Sequence, residues 1–171
     1  MDESGFNTSM TRLRARAPRG KRAYGKVARN RGKNTTLIAA ITLEGAMGES
    51  MTVEGATDAE VFEAYVEHFL APSLCMGQVV VLDRLGAHRT EKVRELVEAR
   101  GAELVFLPSY SPDLNPIEEA FSKIKQLVRK AGARVREALV EAIGRALAAV
   151  TLEDAAGWFA HAGYRPQDQP L

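Results

Sequence analysis

The sequence predicts an α/β fold, a mixed sheet flanked by helices, and three observations carry that prediction. Short β-branched runs alternate with runs whose apolar residues fall at helical spacing. The first two complete strands are separated only by a Gly-bounded turn and so form an antiparallel hairpin. After that hairpin the order becomes helix, strand, helix, strand, helices, which implies a mixed sheet with helices on its faces. At 171 residues the chain can bury one such core, and it has no internal repeat. The expectation is a single domain over 1–171, with a basic segment at 11–33 and C-terminal helices at 134–162.

In chain order, Asp2-Glu-Ser-Gly-Phe6 reads as the acidic exit of a strand whose body does not precede it in the sequence. The first strand is therefore expected to be truncated, with Asp2 on a fraying end. From Thr11 to Lys33 come ten basic residues and no acidic ones, which leaves the rest of the chain net acidic. So pure a block of one sign is either a solvated loop or a surface for a polyanion. Asn34–Leu43 is a strand, Gly45–Gly48 a turn, and Glu49–Val53 the hairpin partner. Thr57 with Glu60 matches a capping box. The helix that follows buries Val61, Phe62, Tyr65, Val66, Phe69 and Leu70 and ends at Pro72.

Gln78–Leu82 is continuously apolar, as expected of a central strand covered on both faces. Thr90–Arg100 is a helix with Val93, Leu96 and Val97 inward, stopped by Gly101, and Glu103–Leu107 is another strand. Asn115–Lys130 is a helix with Ile117, Phe121, Ile124 and Val128 on one face; Asn115 can cap it and Pro116 suits its first turn. Helices over Val135–Val150 and Leu152–His161 complete the chain, packed by Trp158 and Phe159.

The totals exclude several classes. No apolar run approaches the roughly 18–20 residues that cross a bilayer, so no membrane partner is expected. The N-terminus has no basic region followed by an apolar one, and so does not read as a signal peptide. One cysteine, Cys75, excludes an internal disulfide framework and fits a reducing cytoplasm.

Two acids stand where chemistry would need them. Asp83 ends the run Val79-Val-Val-Leu82, and Glu118 lies on the first turn of the helix after Asn115-Pro116, with 34 residues between them. An acid at a strand end and an acid at a helix start can hold divalent metals at a sheet edge. Carboxylates suit Mg²⁺ or Mn²⁺, whereas Zn²⁺ would call for the His or Cys clusters this chain lacks. Each acid alone has a plainer role, a turn for Asp83 and the helix dipole for Glu118. Helical spacing separates Glu118, which borders the buried stripe, from Glu119, which sits about 100° further round.

Val-Val-Leu-Asp83, His88 five residues later, and Leu107-Pro-Ser-Tyr-Ser-Pro-Asp-Leu-Asn-Pro-Ile-Glu118 together closely resemble the mariner-like DDE transposases of bacterial insertion sequences. Asp2-Glu-Ser-Gly-Phe6 resembles the first acidic motif of that family, and the likeness covers nearly the whole chain. The resemblance implies an RNase H-like fold with Asp2, Asp83 and Glu118 as catalytic and metal-holding residues for two Mg²⁺ or Mn²⁺ ions. It implies cleavage at transposon ends and joining of the freed 3′-hydroxyl to target DNA. His88 matches a family position and is expected to orient a phosphate or a neighbouring group, or to serve only as a polar residue near a helix start. Arg14, Arg16, Lys21 and Arg22 are the expected DNA contacts.

Two departures from the family are visible. Arg84 follows Asp83 where the family commonly has Asn, and the chain begins at the first acid without the usual helix-turn-helix region. Three functions follow: a transposase catalytic domain, an inactive truncated remnant that binds DNA or an intact transposase, and a stand-alone nuclease. Expected partners are transposon-end and target DNA, a second copy of the chain, and a DNA-recognition polypeptide from an upstream frame. The expected location is the bacterial cytoplasm, at the nucleoid.

Overall fold

A computed structural model describes residues 1–164. The last seven positions of the expected 1–171 domain lie outside the described residues. Strand β1 (Asp2–Phe6) runs antiparallel to β2 (Thr35–Thr42), and β2 runs antiparallel to β3 (Ala46–Glu54). Strands β4 (Val79–Leu82) and β5 (Glu103–Phe106) form a separate parallel pair. The Met1 nitrogen donates to the Val81 carbonyl at 2.9 Å, which sets the start of β1 beside β4. The expected mixed sheet is thus two ladders side by side rather than one continuous ladder.

Helix α1 (Ala59–Tyr65) continues through a π-helical turn (Val66–Leu70) into α2 (Ala71–Ser73). The π-turn precedes Pro72, which has no N–H to return to the preceding turn, and Ala71 N–H bonds five residues back to Val66. The helix therefore runs one residue beyond Pro72 instead of stopping at it. Its N-cap is Asp58, which accepts from Val61 N–H at 3.0 Å. The expected cap Thr57 has a buried hydroxyl without a hydrogen-bond partner among the described residues. Aspartate and threonine are both good caps, and their one-residue offset shifts the helix start.

Helix α3 (Glu91–Glu98) starts at its cap Thr90 and is followed by Gly101 at φ 71°. Helices α4 (Pro116–Ala131), α5 (Arg136–Ala148) and α6 (Leu152–His161) complete the described chain. No helix among the described residues is long and apolar enough to cross a membrane.

The hydrophobic pattern of β2 organises the core. Leu37 and Ala39 face one layer, with Ile117, Phe121, Ile124 and Val128 of α4 and Leu139 and Ile143 of α5. Ile38 and Ala40 face the other, with Phe62, Tyr65 and Val66, and with Val80, Leu82, Val93 and Val97. The strand covered on both faces is therefore β2, not β4 as the apolar run suggested. In β4, Val79 is 49% exposed, and only Val80 and Leu82 are buried. Trp158 packs against the α4 layer, and Phe159 meets Tyr164 edge-on with centroids 5.8 Å apart. Phe69, expected inward, is 38% exposed.

The first strand is not frayed at Asp2. All five residues of β1 pair with β2, from Asp2 opposite Ala39 to Phe6 opposite Thr35, and Asp2 is 8% exposed. A fully formed partner strand and the side-chain bonds described next hold the end that the sequence suggested would be loose.

Candidate metal centre

An open cleft of about 380 Å³ lies between the start of β1, the end of β4 and the N-terminus of α4. Asp2, Asp83 and Glu118 all line it, with Arg84, Tyr110 and Asn115. The three acids expected from the sequence are therefore brought to one place from positions 2, 83 and 118. Each sits on or beside a rigid element: Asp2 inside a ladder, Asp83 one residue past β4, and Glu118 on the first turn of α4.

Adjacent residues of β1 point to opposite faces of the sheet, and this chain uses both directions. Asp2 turns toward α4, where Asn115 Nδ2 donates to its Oδ2 at 3.0 Å and Glu3 N–H donates to its Oδ1 at 2.8 Å. Glu3 turns toward the α1 layer, where its Oε2 lies 2.6 Å from His88 Nε2. His88 Nδ1 lies 2.6 Å from Asp83 Oδ1, and that oxygen also accepts from Leu85 N–H at 3.0 Å. The His88 ring is fully buried against Phe62, with centroids 4.1 Å apart.

Burial raises the Asp2 carboxyl from 3.8 to about 6, with further upward pressure from Asp83, Glu3 and Glu118; the Glu3 N–H acts the other way. Burial opposes charge on His88, but the bonds and charges of Glu3 and Asp83 outweigh it and move its pKa upward. The donor set fits a hard divalent cation. It is made of carboxylate oxygens on rigid elements, and the mutual repulsion at Asp2 is what a bound dication would relieve. Asp2, Glu3 and His88 also bring one ligand atom each within 4.8 Å of one another. Both His88 nitrogens, however, are already directed at carboxylates.

Sequence reasoning missed two contributors. Glu3 lies within the first acidic motif, Asp2–Phe6, but that motif assigned a role to Asp2 alone. Asn115 reads as a cap in the sequence, yet its side chain makes no cap bond and reaches Asp2 instead, 113 positions away. Tyr110, in the loop before α4, is fully exposed at the rim of the cleft at φ 57°, a backbone region that non-glycine residues seldom adopt. Glu119 points away, as its helical position required, and pairs with His161 of α6.

The four basic residues expected to touch DNA lie outside this centre. Arg14, Arg16, Lys21 and Arg22 are all exposed, on the long irregular connection between β1 and β2. Among the described residues, that connection is fastened near its ends. Arg134 donates to the Thr8 and Met10 carbonyls at 2.9 and 3.1 Å, and Thr8 Oγ1 donates to the Arg31 carbonyl at 3.1 Å.

A mixed α/β fold that brings acids from its first strand, the end of β4 and the first turn of α4 to one cleft has the layout of a carboxylate metal centre. The model of the DDE superfamily endonuclease family matches residues 1–140, and the chain belongs to that family. Its fold is similar to that of three solved Mos1 structures. The Mos1 transposase paired-end complex with the left transposon end has a TM-score of 0.71 at 19% identity, over 93% of this chain and 50% of that one. The Mos1 mariner paired-end complex with Mn gives 0.70 at 19%, over 93% and 50%. The Mos1 strand transfer complex gives 0.67 at 20%, over 94% and 50%. The chain thus spans about half the length of the transposase chains it resembles. No curated protein sequence matches it.

Proposed function

We propose that this chain is the catalytic domain of an insertion-sequence transposase, performing metal-dependent DNA cleavage and strand transfer. The observation that carries the reading is the convergence of Asp2, Asp83 and Glu118 on one cleft in a chain of the DDE endonuclease family. These three would hold two Mg²⁺ or Mn²⁺ ions, which supply activation of the attacking oxygen and stabilisation of the leaving one. Asp2 and Asp83 are held by hydrogen bonds before substrate arrives, so little ordering is left for the reaction itself.

In the cleavage step the oxygen of water bonds to phosphorus and the P–O3′ bond breaks, leaving a 5′-phosphate and a 3′-hydroxyl that carries the proton. In the transfer step that 3′-hydroxyl oxygen attacks a phosphorus of the target strand, and the target's own O3′ leaves with the proton. The cations at Arg14, Arg16, Lys21 and Arg22 are exposed, as phosphate contacts must be. The whole of 1–171 is read as one domain acting in the cytoplasm on DNA. A second copy of the chain and a DNA-recognition polypeptide from an upstream frame are its proposed protein partners.

The test is cleavage of DNA carrying the parent element's ends, by this chain and by a chain extended upstream, with and without Mg²⁺ or Mn²⁺. Metal-dependent 3′-hydroxyl ends support the reading; intact DNA with both chains overturns it. One observation favours a second reading, binding without catalysis: Arg84 lines the cleft beside Asp83 and would compete with a metal. Under that reading, Arg84→Asn, the residue common in the family, creates cleavage where the parent chain has none.

A further inference from the structure

We propose that Glu3 and His88 form a hydrogen-bonded strut that positions Asp83, committing its Oδ1 to the protein and leaving its Oδ2 for a divalent cation. The inference rests on the metal-centre reading above and deepens it, since neither residue lines the cleft. Three observations carry it.

The first is the geometry of the bridge. Both His88 nitrogens lie 2.6 Å from carboxylate oxygens, so the ring bridges Glu3 on β1 and Asp83 after β4. The second is the division of labour at Asp83. Its Oδ1 accepts from His88 and from Leu85 N–H, whereas its Oδ2 has no hydrogen bond among the described residues. The third is the immobility of the ring. His88 has no exposed surface and lies against Phe62, so it cannot swing away to release Asp83.

The strut also ties the two ladders together at the point that matters. Among the described residues, β1 and β4 are also joined near the site by the Met1–Val81 hydrogen bond. Glu3 follows Asp2 directly, so a bridge from Glu3 to Asp83 fixes the relative placement of two of the three acids. Partners of metal ligands of this kind typically cost about 10- to 100-fold in metal affinity when removed. A cation held by Asp2, Glu3 and His88 themselves would need a free ring nitrogen, and neither is free.

The experiment measures Mn²⁺ binding to the 171-residue chain by titration calorimetry, with the melting temperature of every variant recorded. His88→Ala should weaken Mn²⁺ by about 10- to 100-fold. His88→Asn, whose amide can reproduce the donor to Asp83, should recover part of that loss. Glu3→Gln keeps the size of the side chain, so it guards against a variant that fails to fold, and it should weaken Mn²⁺ by several-fold to about tenfold. Nitrogen-15 spectra of the metal-free protein should show the His88 Nε2 signal moved by Glu3→Gln. Folded His88→Ala and Glu3→Gln variants that bind Mn²⁺ like the parent would overturn the strut and leave the metal centre standing. A parent chain that binds no Mn²⁺ would overturn the metal centre, and the strut with it.

Discussion

The segment 11–33 and the cleft between β1, β4 and α4 handle charge in opposite ways. In the segment ten cations are exposed on an irregular connection that, among the described residues, is fastened near its ends. In the cleft, acids from three elements are brought together, and Asp2 ionises only against burial and against its neighbours. Solvated like charges cost little and attract a polyanion over distance. Crowded, partly buried carboxylates cost stability and suit a cation at one point. The comparison teaches that binding and chemistry are assigned to different physical devices, one solvated and one fixed by hydrogen bonds. The two should therefore fail separately.

The largest expected effect breaks the cleft alone. Asp83→Asn and Glu118→Gln keep side-chain size but remove the anionic oxygen that a hard cation requires. Each should lower cleavage by at least ~10³-fold in an active form while leaving DNA affinity within about twofold. Gel-based cleavage and binding assays on the same preparations check this. Substantial cleavage by either purified variant would remove that residue from the centre.

The converse change breaks the segment alone. Replacing Arg14, Arg16, Lys21 and Arg22 by Gln should weaken DNA binding similarly across unrelated sequences, because phosphates carry no base identity. The slope of log affinity against log salt should flatten by roughly 0.9 for each duplex phosphate that the variant no longer neutralises. Unchanged affinity and slope would make the segment a solvated loop, and would move DNA binding to surfaces around Lys123, Lys125 and Arg129.

The two regions also differ in how much the sequence discloses. The buried stripe Ile117, Phe121, Ile124 and Val128 was legible because a helix repeats every 3.6 residues, and all four are buried. Asp83 and Glu118 were legible because each follows a clear structural boundary. The bonds that hold the site were not legible. Glu3 and His88 are 85 positions apart, and Asn115 and Asp2 are 113 apart. Periodicity states which face is apolar; it does not state which polar groups meet across it. The same limit explains β4. An unbroken apolar run shows that a strand is largely buried, but the doubly covered position went to β2, which has strand neighbours on both sides.

Ionising Asp2 in the cleft should itself cost stability. Asp2 holds its proton more tightly when folded, at about 6 against 3.8, chiefly through burial. A folded state that binds the extra proton is favoured at low pH, and that advantage is lost as pH rises from about 4 through about 6. Above that window ionised Asp2 costs the metal-free protein up to about 3 kcal/mol. Asp2→Asn removes this cost but surrenders one of two accepted hydrogen bonds, worth about 1 kcal/mol. Urea melts should therefore show the metal-free variant more stable by about 1–2 kcal/mol near pH ~7.5, with the gain gone near pH ~4. A difference independent of pH would mean that the carboxylate is not strained.

The smallest effect is expected at Glu119, which shares a helical turn with Glu118 and differs from it mainly in direction. Its carboxylate pairs with His161 Nδ1 at the end of α6, and both side chains are substantially exposed. Exposed pairs of this kind contribute about 0–1 kcal/mol, since water screens them and two side chains must be ordered to form them. Glu119→Gln keeps a hydrogen-bond acceptor on the same stem, so the melting temperature should fall by less than about 4 °C. Cleavage should stay within about twofold of the parent, because Glu119 does not line the cleft of Asp2 and Asp83 and its exposed charge is screened by water and salt. Parallel assays of Glu118→Gln and Glu119→Gln make the measurement. Equal losses from both would mean that acidity of the α4 N-terminus, not the direction of one carboxylate, supports the reaction.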